Sequence, residues 1–353
     1  MMKGKKNIRA IPEQELRAWL KEQQEPDFRF KQIQEWIWKK GVKDFHEMRN
    51  LPRTLLDKLQ EHFELGPVSV SEIQRSKDGT LKAAMLLDDG NVVESVLIPK
   101  YPRLTACISS QVGCSLSCRF CATARLARKR NLRADEIYDQ VRRMNELARQ
   151  EYNKGLTNIV FMGMGEPLLN YKEVLKAIHY ITSHDGIGMS PSRITLSTAG
   201  IAKMICRLAD DNPRINLALS LHAADDEKRN KIMPINETNN LEVLQQALMY
   251  YYEKTGIRPT LEYVALRNFN DTEEDANLLI RFAKKMVVKI NIIEYNPIEG
   301  GEFLPSFGNQ LRRFTDTLKN AGLLVTIRKS RGRDIDAACG QLANKNTIAK
   351  IDT

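Results

Sequence analysis

The chain has 353 residues, and its 54 Lys and Arg outnumber 44 Asp and Glu to give a formal net charge of +10. With 42% hydrophobic residues and only 19 Gly and 13 Pro it can bury a core, which excludes a disordered tail or a collagen-like fibre. No run approaches the roughly 18 consecutive apolar residues of a membrane helix, and the opening MMKGKKNIRAIPEQE lacks the apolar stretch of a signal peptide, so a cytoplasmic protein with no membrane partner is expected.

At roughly 150 residues per domain the length suggests about two units, one large and one small. Residues 13–64 carry apolar positions at helical spacing: Leu16, Trp19 and Leu20, then Phe30, Ile33, Ile37 and Trp38, then Leu55, Leu56 and Leu59. This predicts a helical accessory module over 1–66, whose Trp36 and Trp38 read as core or, beside the net positive charge, as part of a surface for a polyanion such as RNA or DNA. From Val68 to Ile98 the pattern alternates, with breaks at Lys77-Asp78-Gly79 and Asp88-Asp89-Gly90, which predicts an antiparallel extension over 67–100.

From Tyr101 onward, short apolar runs at 104–108, 158–162, 193–197, 215–221, 260–266, 289–295 and 323–328 alternate with amphipathic stretches near 134–150, 171–182, 241–254, 272–286 and 308–321. Strand-helix alternation of this kind makes an α/β fold with a parallel sheet, either doubly wound or rolled into a full or partial barrel. The expected core spans 101–345, followed by a tail at 346–353.

The strongest signal is GCSLSCRFCATA, which sets Cys114, Cys118 and Cys121 in a C-x3-C-x2-C spacing directly after the first parallel strand. Three thiolates on one loop can converge on one inorganic centre. Zinc normally takes a fourth ligand and its usual signature is two C-x2-C pairs, and no second pair exists here. Three unrelated core cysteines are the other plain reading, but the loop is polar. An iron-sulfur cluster held by three cysteines keeps one iron free for a substrate. The six cysteines (107, 114, 118, 121, 206 and 339) do not suggest a static disulfide framework in a reducing compartment.

CxxxCxxC after the first strand of a βα barrel is the signature of radical S-adenosylmethionine enzymes. The motifs FMGMGEPLLN (161–170), ITLSTAGI (194–201), LALSLHA (217–223), MPIN (233–236), EYNP (294–297) and DIDAACGQL (334–342) resemble the RlmN family of 23S rRNA adenine-C2 methyltransferases. The resemblance implies a partial (βα)6 radical-SAM barrel with the helical module and strand extension ahead of it. It implies a [4Fe-4S] cluster on Cys114, Cys118 and Cys121, two S-adenosylmethionine molecules per methylation, and 23S rRNA and tRNA as substrates. A cellular electron donor and a thiol reductant would serve a monomeric enzyme.

Carbon 2 of adenine is electron-poor and does not attack the methyl of S-adenosylmethionine, so a radical route is needed. The resemblance assigns Cys339 as the S-methylcysteine intermediate, Glu94 as the proton acceptor, and Cys107 as the thiol that releases the product through a transient disulfide with Cys339. Read alone, Glu94 in VVESVLI is a surface residue of an alternating strand or a carboxylate among aliphatic side chains, and burial would raise its pKa. Read alone, Cys107 in TACISS is a buried strand cysteine.

For S-adenosylmethionine the matching residues are Gly165, Glu166, Ser197, Ser220, Leu221, His222 and Asn296. Gly163 and Gly165 would let the backbone come close to the ligand, Glu166 would meet the methionine ammonium, and Ser197, Ser220, Leu221, His222 and Asn296 its carboxylate and ribose, yet these last read equally as caps or satisfied core groups. Met162 and Met164 read as core or as the wall of an adenine pocket. Two basic runs, RLARKRNLR (125–133) and RKSRGR (328–333), flank the proposed site and suggest the rim of a phosphate-binding cleft. Two rivals remain: a Cfr-type adenine-C8 methyltransferase and a non-enzymatic zinc-dependent RNA-binding module.

Overall fold

The computed structural model describes residues 5–66 and 68–345, and the expected tail at 346–353 lies outside them. Strand β1 (Lys6–Asn7) leads to α1 (Glu13–Glu22), which starts at Pro12, carries Glu13 and Glu15 in its first turn and buries Leu16 and Leu20. Helix α2 (Phe28–Gln34) runs on into a wider π turn over Glu35–Lys40, which Gly41 ends at φ +60°. Helix α3 (Arg53–His62) starts at Pro52 and feeds β2 (Phe63–Glu64), which pairs in parallel with β1.

Next come the antiparallel strands β3 (Ser69–Arg75), β4 (Leu81–Leu86) and β5 (Val92–Lys100), then β6 (Arg103–Cys107). The first two turns end in Asp-Gly, with Gly79 and Gly90 at φ +87° and +80°. Two short strands, β7 (Gln111–Val112) and β8 (Arg130–Asn131), pair with each other and bracket the cysteine loop. The alternation then continues through α4 (Ala134–Tyr152), β9 (Asn158–Phe161), α5 (Tyr171–Thr182), β10 (Ile194–Thr198) and α6 (Ala202–Asp211). It ends with β11 (Asn216–Ser220), α7 (Asp226–Ile232), α8 (Leu241–Thr255), β12 (Thr260–Ala265), α9 (Glu273–Ala283), β13 (Lys289–Glu294), α10 (Gly308–Asn320) and β14 (Val325–Arg328).

One ten-stranded sheet runs in the order β14-β13-β12-β11-β10-β9-β6-β5-β4-β3. From β6 to β14 every neighbouring pair is parallel, and β3 to β5 join antiparallel. Six strand-helix units followed by a last strand make the partial barrel expected from the sequence. One set of alternate side chains, including Ile159, Phe161, Leu196, Leu217, Leu261 and Ile290, is buried against the helices. The opposite set places Thr105, Asn158, Thr195, Asn216, Thr260 and Asn291 on the wall of a cavity of about 590 Å3. The lumen is therefore a polar space, whereas a closed eight-stranded barrel fills its interior with branched apolar side chains.

The helical module shares the apolar core of the barrel instead of forming its own. Trp38 stacks on Tyr180 at 3.7 Å and its carbonyl accepts the Tyr138 hydroxyl at 2.6 Å. Arg9 pairs with Asp139 of α4 at 2.7 Å, with both side chains buried. Trp38 is thus core, while Trp36 donates to Asn50 and carries Lys40 over its ring.

Candidate active site

The chain leaves β6 at Cys107 and presents Cys114, Cys118 and Cys121 between β7 and β8. All three line a cavity of about 170 Å3 together with Gly165, Glu166, Ser197, Ser220, His222, Asn296 and Cys339. Burial pushes all three thiols up, and at Cys118 the neighbouring Cys121 and Cys114 add to the shift. Buried thiolates without a nearby cation are costly, which is the electrostatic condition a metal centre relieves. Among the described residues no three ligating side chains are already drawn into metal-binding geometry. The three loop thiols fit an iron-sulfur cluster with one open iron, and the fourth thiol on the cavity, Cys339, comes from the separate C-terminal segment.

The backbone opposite is bare for a reason. A Cβ on Gly163 would stand 2.7 Å from the carbonyl of Ile108, and one on Gly165, at φ +94°, 2.5 Å from the Gln111 side chain. Glu166 is buried, and its carboxylate accepts from Leu168 N at 3.0 Å and Ala199 N at 2.8 Å. Burial raises it to about 7 in spite of those donors. It ties the glycine loop to the end of β10, where the Thr198 hydroxyl also donates to it. Ser197 and Ser220 face each other across neighbouring strands at 3.4 Å.

His222 lines the cavity but is also a satisfied core residue. Its Nδ1 accepts from Val264 N at 3.0 Å and its ring meets Phe120 edge-on at 4.8 Å. Burial, then the Arg229 charge, lowers it to about 3, so it is neutral. Leu221 does not reach the cavity. Its side chain is fully buried, its N–H donates to Glu262 O at 2.9 Å and its carbonyl accepts from Arg229 Nε at 3.0 Å. Met162 lines the cavity, while Met164 is core.

Asn296 donates to the carbonyl of Cys339 at 3.3 Å and accepts from Arg333 at 2.9 Å. Ala122 N donates to Gly340 O at 2.7 Å, and Thr123 Oγ1 to Leu342 O at 2.6 Å. The segment bearing Cys339 is thus stitched to the loop bearing Cys121. Cys107 and Cys339 both line the larger lumen cavity, beside Arg328. Burial, then the nearby Cys339, pushes the Cys107 thiol up to about 12, and Arg328 opposes them. All six cysteines are free thiols in this structure.

Glu94 is buried, as the plain surface reading does not allow, but its neighbours are not only aliphatic. Its Oε1 pairs with Lys82 at 3.2 Å, and its Oε2 accepts from Ala343 N at 2.8 Å and Asn344 N at 3.1 Å. Lys82 is its diagonal cross-strand neighbour, since Ala84 stands opposite Glu94. Sequence reasoning missed Lys82 and also Glu262. Glu262 is a buried carboxylate on the lumen wall whose Oε1 accepts from Asn291 at 2.8 Å and whose Oε2 has no partner among the described residues. The signal was present in the alternation Thr260-Glu262-Val264 within an apolar run.

The two basic runs differ. In 125–133, Arg125 donates to the Gly300 carbonyl at 2.8 Å, Arg130 pairs with Asp89 at 2.5 Å and Glu136 at 2.8 Å, and Arg133 pairs with Asp88 at 2.7 Å. Two of its five cations, Arg130 and Arg133, are thus neutralised within the fold, while Arg128 and Lys129 donate to Asn131 and Asn91. In 328–333, Arg333 is held by Glu294 and Asn296, while Arg328 and Lys329 line the lumen.

Residues 6–65 match the model of the ribosomal RNA large subunit methyltransferase N-terminal domain, and residues 108–280 match the radical SAM superfamily. A relative from Christiangramia forsetii named "Probable dual-specificity RNA methyltransferase RlmN" is 51% identical over 342 residues, covering 97% of each chain. The chain belongs to the RlmN family. A Salinibacter ruber protein of the same name is 45% identical and covers 95% of this chain and 93% of its own. The crystal structure of a radical SAM methyltransferase from Sphaerobacter thermophilus superposes with a TM-score of 0.89 at 35% identity, covering 96% of this chain and 99% of its own.

This RlmN-family chain is a SAM-dependent radical RNA methyltransferase, which sets aside the zinc-dependent binding module. The radical SAM match holds the three loop cysteines, whereas Glu94, Cys107 and Cys339 fall outside it. Among the described residues no helix is long and apolar enough to cross a membrane.

Proposed function

We propose that the chain methylates carbon 2 of adenine in 23S rRNA and in tRNA, with Cys339 as methyl carrier, Cys107 as releasing thiol and Glu94 as base. The observation that carries this reading is that Cys107 and Cys339 line one polar lumen, while Cys339 also borders the cavity of the three loop cysteines. Cys114, Cys118 and Cys121 would hold a [4Fe-4S] cluster. When bound, the cluster supplies the electron that cleaves S-adenosylmethionine reductively to a carbon radical.

The Cys339 thiolate first displaces the methyl of one S-adenosylmethionine, becoming S-methylcysteine. Loss of a hydrogen atom from that methyl, to the radical from a second S-adenosylmethionine, leaves a carbon that bonds to adenine C2. Glu94 takes the C2 proton, and the one electron lost with it would return to the oxidised cluster that Cys114, Cys118 and Cys121 would hold. The Cys107 thiolate then attacks the Cys339 sulfur, the carbon-sulfur bond breaks, and the released carbon takes a proton to become the methyl group. A thiol reductant restores Cys107 and Cys339. Gly165, Glu166, Ser197, Ser220, His222 and Asn296 bind and orient S-adenosylmethionine, and Leu221 supports them from the core. The same reading makes the enzyme a cytoplasmic monomer served by a cellular electron donor.

The test is anaerobic reconstitution with rRNA, tRNA, reductant and S-adenosylmethionine, followed by mass spectrometry of the nucleosides. Formation of 2-methyladenosine is expected in both RNAs. Methylation at C8, the Cfr-type outcome, or none at all contradicts the proposal.

A further inference from the structure

The lumen cavity reaches down to the first residues of β6 and β13, where Arg103 and Lys289 line it together with Lys100, and it reaches Lys329 beside the C-terminal segment. All four side chains are exposed. Among the described residues none of them forms an ion pair at contact distance, although Lys289 acts on the buried Glu262 carboxylate through its charge. A cation already paired inside the fold gains little from a phosphate, whereas an unpaired one contributes its full share of counterion release. Free positive charge therefore lies at the two ends of the lumen, with Lys100, Arg103 and Lys289 at the mouth by the first residues of β6 and β13 and Lys329 just after β14, level with the far end of β13. In the run at 125–133, which the sequence nominates, Arg130 and Arg133 are engaged by Asp88, Asp89 and Glu136, Arg125, Arg128 and Lys129 donate to neutral oxygens, and no residue of the run lines this cavity.

Between Lys100 and Arg103 stands Tyr101, which is 94% exposed, with the Lys154 ammonium 5.6 Å from its ring. An aromatic ring so exposed contributes nothing to the core. Beside unpaired cations it has the make-up of a stacking platform for single-stranded RNA. The cavity behind it, about 590 Å3, is polar and leads to Cys107 and Cys339.

We propose that the rim of this lumen is the RNA-gripping surface: Lys100, Arg103 and Lys289 at the mouth and Lys329 at the far end take phosphates flanking the target, a flanking base stacks on Tyr101, and the unstacked target base enters the lumen. The direction of entry rests on Cys339 as methyl carrier; the grip itself rests only on RNA being the substrate.

The test is the salt dependence of binding of a short fluorescent adenine-containing RNA strand to the reconstituted full chain. The Lys100→Ala/Arg103→Ala/Lys289→Ala/Lys329→Ala variant should melt like the wild type, because its side chains are exposed, and should lose about three units from the slope of log K against log salt, at roughly 0.7 per phosphate contact. Arg281→Ala/Lys284→Ala/Lys285→Ala, on and just after α9, should leave the slope unchanged, as should Arg128→Ala/Lys129→Ala/Arg130→Ala. Tyr101→Ala should weaken binding roughly tenfold and Tyr101→Phe should not. A wild-type slope in the fourfold variant, a slope carried by the 128–130 variant, or full affinity in Tyr101→Ala overturns the proposal. If such a wild-type-like variant accompanies normal 2-methyladenosine formation, the grip fails while the methylation chemistry stands.

Discussion

Glu94 Oε2 accepts the main-chain amide of Ala343 at 2.8 Å, so the carboxylate proposed as the base also anchors the segment that carries Cys339. The second bond, from Asn344 N at 3.1 Å, and the Lys82 pair complete a buried clamp. Base and methyl carrier are thereby coupled through the backbone.

The clamp predicts a separation between two Glu94 variants. Glu94→Ala should release the segment, raising hydrogen exchange at Ala343 and Asn344 by about tenfold or more, since a hydrogen bond to a charged group contributes about 1.5–3 kcal/mol. Glu94→Gln keeps an acceptor oxygen and should hold exchange closer to wild type while failing to remove the C2 proton. Equal exchange in all three proteins contradicts the clamp.

Replacing any one of Cys114, Cys118 or Cys121 by Ala should abolish the brown iron-sulfur absorbance and S-adenosylmethionine cleavage, because three ligands leave no spare. A single variant that keeps a full cluster and normal turnover disproves the ligand assignment.

The buried Arg9–Asp139 pair joins the helical module to α4, with side chains only 4% exposed. Arg9→Ala leaves a buried carboxylate unpaired and should cost about 3–5 kcal/mol in chemical denaturation. A change below about 1 kcal/mol would mean that the module is held by its apolar contacts alone.

His222 sets an acid limit. Its folded pKa is lowered, chiefly by burial, from an ordinary 6.5 to about 3. Between those values the unfolded chain binds the extra proton, so stability present above pH 6.5 is lost as pH falls toward 3. The loss is on the order of a few kcal/mol, and His222→Asn should flatten that part of the denaturation-midpoint profile. An unchanged profile assigns the acid sensitivity elsewhere.

The sequence made the strand-helix alternation legible because each parallel strand is apolar on its helix side and long enough to show its period. It did not reveal α7, whose seven residues bury only Arg229 and Ile232, nor the two-residue strands β7 and β8. The three loop cysteines were visible from spacing alone. Glu94, Cys107 and Cys339 were not, because they meet only through the sheet register and the returning C-terminal segment, and family resemblance had to supply them. The basic run at 125–133 shows the same limit: Arg130 and Arg133 meet Asp89 and Asp88, in a turn about forty residues earlier, only in the fold.

The two-thiol mechanism is tested most directly by Cys107→Ala. In that variant Cys339 can still take a methyl and bond to adenine, but the releasing thiol is missing. A covalent protein-RNA adduct should then survive denaturing electrophoresis, collapse on nuclease digestion to a nucleotide attached at Cys339, and be absent from Cys107→Ala/Cys339→Ala. Release of methylated RNA by Cys107→Ala at the wild-type rate, with no adduct, would contradict the account.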